Sequence, residues 1–240
     1  MKIPENLTRQ SYRLIRDEIL RGQLDKQRHL TEGFFAARYA ISKSPIREAL
    51  NVLESEGLIK IEPRRGVSVR RFSIQDIAEI YELREVLEAL VVRKAELAPK
   101  LLERMRQAVR VAEAYRGKGD KLAYLREDAA FHAALTQACG NGRLRRALKN
   151  MRDQILILRR QTFELSSGTS VKQHYEILAA LENGDREQAA RLMAQHVHDV
   201  RTRLINHLRE HEKRSAAGKA RPGVKRLGAH AARHLASANV

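Results

Sequence analysis

A mainly α-helical chain is expected, with one small β-hairpin in its N-terminal third and an antiparallel all-α bundle behind it. Three observations carry that expectation. Apolar residues recur at helical spacing over most of the chain up to about residue 210. One stretch departs from this period, LIKIEPRRGVSVRRF after Gly57, which reads as two short strands joined by Pro63-Arg64-Arg65-Gly66. Beyond it, breaks fall at Gly117–Gly119, Gly140–Gly142, Ser166–Ser170 and Asn183-Gly184, spacing the remainder into five or six helices.

Taken in order, residues 8–21 place Tyr12, Ile15 and Ile19 on one helical face, with Gly22 positioned to end the helix. Thr31 suits the N-cap of a short second helix running to about Tyr39. In ISKSPIREALNVLESEGL, Ser44 suits the cap, Pro45 the first helical position and Gly57 the stop, while Ile46, Ala49, Leu50 and Leu53 form one apolar stripe. Three helices followed by a hairpin make a winged helix-turn-helix arrangement over residues 1–72. Ser73 and Asp76 then have the spacing of a capping box, opening a helix whose buried side carries Ile77, Ile80, Leu87, Leu90 and Val91. Helical patterns alone continue from there, so residues 73–210 are expected to form the bundle.

Composition narrows the class. No run of about 18 apolar residues is present, so no membrane span is expected, and the first residues, MKIPENLTRQ, lack the apolar core of a secretory signal. Cys139 is the single cysteine, which excludes a disulfide framework and a cysteine zinc knuckle. A cytoplasmic location is expected. The formal net charge is +17, divided as +6 over residues 1–72, +5 over 73–210 and +6 over 211–240. The last segment is rich in Ala, Gly, Lys and Arg without apolar periodicity and reads as a basic, disordered tail. Its charge suits a phosphate backbone or simply solvent.

Two constellations carry chemistry. The first is the start of the third helix. A helix lying in the DNA major groove presents donors from its N-terminus, as the segment from Ser42 to Arg47 can, and Lys43 and Ser44 sit at the positive end of the helix dipole. Arg47 projects one turn later from the side away from Ala49 and Leu53, where a guanidinium can donate twice to guanine. Arg64, Arg65 and Gly66 lie at the hairpin tip, with two cations and a turn able to approach a groove or the backbone.

The second constellation is polar and faces inward. On LAYLREDAAFHAALTQAC, Tyr124, Leu125, Phe131, His132, Leu135 and Cys139 fall within about 60° of Asp128 around the helix. A carboxylate on an apolar face is costly unless paired or bound to a metal. His174 lies among Val171, Ile177, Leu178 and Leu181, and His196 among Ala189, Leu192, Met193 and Val200; His198 points the other way. Asp128, His132, His174 and His196 therefore make a candidate site for Zn²⁺, Ni²⁺ or Mn²⁺, leaving positions open for a small carboxylate. Arg84 either reaches the same cavity or pairs at the surface with Glu88 one turn on. Arg159 and Arg160 are weaker candidates.

The run TEGFFAARYAISKSPIREALNVLESEGLIKIEPRRGVSVRRF resembles the DNA-binding domain of GntR-family bacterial regulators, and residues 73–210 resemble the FCD domain of the FadR subgroup. The resemblance implies a homodimer that binds a palindromic double-stranded operator, acts as a ligand-responsive repressor, and has no catalytic residues. It places Ser42, Lys43, Ser44, Arg47, Arg65 and Gly66 at DNA-contacting positions, and the Asp/three-His set at a divalent-metal site. Two departures affect specificity: Gly33 stands where members often carry a basic residue, and Lys43 where arginine is common. Two alternatives stay open, a non-specific nucleic-acid binder with a structural metal and a metal-dependent enzyme. Against the enzyme, Glu127, the nearest carboxylate to the set, points away from it.

Overall fold

The first helix, α1 (Leu7–Arg21), begins where the Asn6 side chain accepts from the Thr8 N–H and stops at Gly22, whose φ of 75° is left-handed backbone. The computed structural model describes residues 6–25, 27, 29–162 and 167–219. Helix α2 (Glu32–Tyr39) opens on Thr31, whose hydroxyl accepts from the Phe34 N–H as expected. Helix α3 (Lys43–Ser55) starts earlier than the sequence suggests: Ser42 is its N-cap, and Ser44 and Pro45 lie inside its first turn. Pro45 is tolerated there because first-turn N–H groups have no intrahelical acceptor to lose.

Strands β1 (Ile59–Glu62) and β2 (Gly66–Val69) pair antiparallel, Ile59 opposite Val69 and Glu62 opposite Gly66. The turn holds Arg64 at φ 62° and Gly66 at φ 94°. A Cβ at Gly66 would sit 2.3 Å from the Leu30 carbonyl oxygen, which accepts from the Val67 N–H at 2.7 Å. Glycine is thus what lets the hairpin fold back onto the segment between α1 and α2. Ile15, Ile19, Phe35, Ile46, Leu50, Leu53 and Leu58 close one core, and Ile157 from far along the chain is buried in it.

The bundle opens with α4 (Ile74–Lys94), capped by the reciprocal Ser73–Asp76 box. It continues with α5 (Pro99–Gly117), α6 (Lys121–Ala138), α7 (Gly142–Gln161), α8 (Ser167–Glu182) and α9 (Arg186–Lys219). The break between α4 and α5 carries no glycine signal; Pro99 makes it, by starting a helix and keeping the preceding residue out of the α region. Helix α4 lies along α9, α5 packs on α6 and α8, and α7 packs on α6. A second core, with Tyr81, Val92, Met105, Tyr124, Phe131, Leu178 and Met193, fills the bundle. Helix α9 runs to Lys219, past the boundary expected at 210, and residues 220–240 of the basic tail lie outside the described residues.

Candidate functional site

At the N-terminus of α3, Ser42, Lys43, Ser44 and Arg47 are all exposed, as are Arg64 and Arg65 in the hairpin turn. Ile46, Ala49, Leu50 and Leu53 on the other side of α3 are buried, so the apolar stripe decides which side chains the helix offers to solvent. Arg47 is not loose. Its Nε and Nη2 donate to the two carboxylate oxygens of Glu32, each at 2.7 Å. That hydrogen bond holds the Glu32 carboxyl below the ordinary range. The Nη1–Nη2 edge of the guanidinium remains for an outside acceptor.

Inside the bundle, α6, α8 and α9 bring three imidazoles together. His174 Nε2 lies 3.2 Å from His132 Nε2 and 3.2 Å from His196 Nε2. All three rings are buried, and His174 stacks on Phe131 with ring centres 4.2 Å apart. The other ring nitrogens are engaged. His132 Nδ1 meets Glu88 Oε2 at 2.6 Å, and His196 Nδ1 meets Gln173 Oε1 at 3.0 Å, while Gln173 Nε2 donates to Asp199 at 2.7 Å. Acceptors at Nδ1 select the Nδ1–H tautomer and leave lone pairs on Nε2 of His132 and His196. One N–H on His174 Nε2 can satisfy only one of them. Burial pushes all three imidazoles toward the neutral form, His174 and His196 strongly.

A divalent cation fits this donor set. Nitrogens 3.2 Å apart subtend about 100° at a point about 2.1 Å from each, the usual metal–imidazole distance. Asp128 is buried on α6 as expected, but it faces Arg159 of α7, with which it forms a buried ion pair; its other oxygen lies 3.5 Å from the Tyr124 hydroxyl. The three histidines alone form the compact ligand group among the described residues. Arg84 reaches the cavity, and the surface reading is corrected: it does pair with Glu88, at 2.6 Å, but the pair is buried against the cavity. Burial pushes the Glu88 carboxyl up, but Arg84 and His132 outweigh this and hold it at about 2.

The cavity beside these groups measures about 470 Å³ and is lined by α4, α6 and α7, including Arg84, Asp128, His132 and Arg159. Among the described residues, Arg84 Nη1 and Arg159 Nε and Nη2 are buried without a hydrogen-bond partner. Helix α7 also faces outward. Arg16 of α1 forms two hydrogen bonds to Asp153, at 2.5 and 2.6 Å. Gln154 donates to the Glu56 carbonyl at 2.7 Å, and Arg160 pairs with Asp25 across the bare face of Gly22. Residues Asp153 to Arg160 thus grip the winged helix-turn-helix from a helix whose other side lines the cavity.

Sequence reasoning missed Glu88, Gln173 and Glu32. Glu88 stood in view as the i+4 partner of Arg84, Gln173 beside His174, and Glu32 in the first turn of α2, but their partners lie on other elements. His198, read as outward, is exposed near Glu85.

Comparison with known proteins identifies the two domains. Residues 7–69 match the model described as bacterial regulatory proteins, gntR family, and residues 79–199 match the FCD domain. The chain is 27% identical over 201 residues to the HTH-type transcriptional repressor RspR of Escherichia coli (strain K12), covering 81% of this chain and 87% of that protein. It is 27% identical over 206 residues to the gluconate operon transcriptional repressor of Bacillus subtilis (strain 168), covering 79% and 82%. In fold it is similar to a GntR regulator from Rhodococcus sp. RHA1, with TM-score 0.72, 24% identity and coverage of 83% and 97%. Escherichia coli McbR/YncC gives TM-score 0.70, 20% identity and coverage of 85% and 99%.

Proposed function

The chain belongs to the GntR family of bacterial regulatory proteins, with an FCD domain behind a DNA-binding winged helix-turn-helix, and we propose that it is a repressor released or engaged by a metal-bound carboxylate effector. The observation that carries this reading is the convergence of three buried Nε2 atoms beside a cavity holding unpaired arginine donors. His132, His174 and His196 would hold a divalent Zn, Ni or Mn ion, with Asp128 the fourth ligand once Arg159 gives it up. Such an ion supplies open coordination positions for a carboxylate oxygen. Glu88 and Gln173 keep His132 and His196 in the ligating tautomer, and Arg84 and Arg159 offer donors to the same anion.

On the DNA side, Ser42, Lys43 and Ser44 are proposed to position the helix on phosphates, Arg47 to read a base, and Arg64, Arg65 and Gly66 to touch the duplex from the hairpin. Glu32 aims Arg47 by holding one edge of its guanidinium. Helix α7 links the two ends, because Arg159 faces the cavity while Asp153, Gln154, Ile157 and Arg160 hold the winged domain. An anion that draws Arg159 away from Asp128 biases the position of α7. A homodimer on a palindromic operator follows from the few base pairs one helix can read.

The test is metal content of the purified protein beside His174→Ala, followed by operator binding with and without the metal. About one metal per chain, absent from the variant, supports the site. No metal in either protein after soaking would reassign the histidines to the core and leave the DNA-binding reading standing.

A further inference from the structure

The cavity's charge is set mainly by one face of α7. Arg145, Lys149, Arg152, Leu156 and Arg159 follow one another at spacings of four and three, which puts them within about 80° of arc around the helix. All five line the same cavity, with Arg146 beside them. The stripe descends from the mouth to the floor. Arg145 and Lys149 are exposed, Arg152 is half-buried, and Arg159 is buried at the level of Asp128.

The floor and the mouth differ in how this charge is answered. At the floor each cation has an acid, Arg84 with Glu88 and Arg159 with Asp128. At the mouth Arg145, Arg146, Lys149 and Arg152 form no ion pair among the described residues. Like charges at i, i+3 and i+4 repel one another, so the row works against its own helix. A concave wall also focuses the field of such a row into the space it encloses. A single carboxylate on the floor uses the buried donors of Arg84 and Arg159 and leaves the four upper cations unanswered.

We infer that the cavity takes a small molecule with two separated acidic groups, one seated at the histidine and arginine floor and the other held by the basic row of α7. This rests on the proposal that the cavity is the effector site, and it names the effector's charge pattern. The ligand is a dicarboxylate, a tricarboxylate or a phosphorylated hydroxy acid, small enough for a cavity of about 470 Å³. A charge-assisted hydrogen bond from the row contributes about 1.5–3 kcal/mol, which corresponds to affinity about 10- to 100-fold above that of the matched mono-acid.

The full-length, metal-loaded protein is titrated with matched pairs, each sharing a head group and differing in one distal acid: butyrate against glutarate, and gluconate against 6-phosphogluconate, with citrate as a third two-ended probe. Binding is read by calorimetry and thermal shift, for wild type and for the Lys149→Ala/Arg152→Ala double variant, which lies away from the metal set. The expected result is at least tenfold tighter binding of a two-acid member. That advantage should shrink with added salt and vanish in the variant, with metal content and mono-acid binding unchanged. Mono-acids that bind as well as their partners overturn the inference and leave the effector site standing. If no acid at millimolar concentration raises the melting temperature, the inference and the effector reading fall together. A variant that keeps the two-acid advantage but loses DNA affinity also overturns it, and assigns the row to the phosphate backbone.

Discussion

In the operator contact proposed above, Arg47 is prepared before its target arrives. Glu32 occupies Nε and one hydrogen of Nη2, so the end-on edge is oriented and part of the rotamer entropy of binding is already spent. Arg47→Ala should weaken specific operator binding by about 1–3 kcal/mol and non-specific binding much less, measured by gel shift against scrambled DNA. Equal losses on both would remove direct base reading by this residue. At the proposed metal site Glu88 would act through His132, whose Nδ1 it meets at 2.6 Å. Glu88→Gln should lower metal affinity by about 10- to 100-fold while the three ligands remain, checked by competition with a chelator.

The same histidines set a pH dependence for the metal-free protein. Burial lowers the folded-state values of His132, His174 and His196, the last two strongly. The unfolded chain takes up protons near the ordinary histidine value of 6.5, before the folded chain does. Stability is therefore full above that pH and falls as the pH drops below it. Melting temperatures of the metal-free protein between pH 7.5 and 5.5 should decline, and His174→Gln should flatten the slope; a flat wild-type profile would contradict neutral buried imidazoles.

At the scale of elements, α7 is the piece with two jobs. Its apolar Ile157 is fully buried in the core of the winged domain, and Arg16 clamps Asp153 with two hydrogen bonds. Loss of contact on this side should separate effector binding from its effect on DNA. Arg16→Ala should leave metal and acid binding intact while reducing the change in operator affinity that the acid produces, measured by titrating DNA with and without effector. Ile157→Ala is expected to cost about 2–5 kcal/mol in thermal or denaturant unfolding, which is why the arginine is the cleaner probe. An unchanged response in Arg16→Ala would move the coupling to another contact.

For the whole molecule, α4 presents Leu83 and Val86 to solvent, 58% and 68% exposed, on a helix whose opposite side is packed along α9. The palindromic operator proposed above calls for a second copy of the chain as the occupant of this face. Leu83→Asp with Val86→Lys should shift the protein toward monomer in sedimentation and weaken operator binding, leaving metal content unchanged. A wild type that is monomeric at micromolar concentration would refute the dimer.

What the sequence determined is local. Caps at Thr31 and Ser73, the stripe on α3, the glycine of the hairpin and the inward direction of His132, His174 and His196 all follow from spacing along one element, where 3.6-residue geometry and backbone hydrogen bonding leave few choices. The start of α3 at Lys43 and the break before Pro99 departed from that reading because first-turn positions tolerate several registers and proline needs no glycine to end a helix. The partners were settled by tertiary structure alone. Whether Asp128 meets Arg159, whether Glu88 reaches both Arg84 and His132, and whether α7 holds the winged domain depend on how separate helices pack. Those contacts join residues more than thirty positions apart in most cases, and local periodicity carries no information about which distant face a side chain will meet.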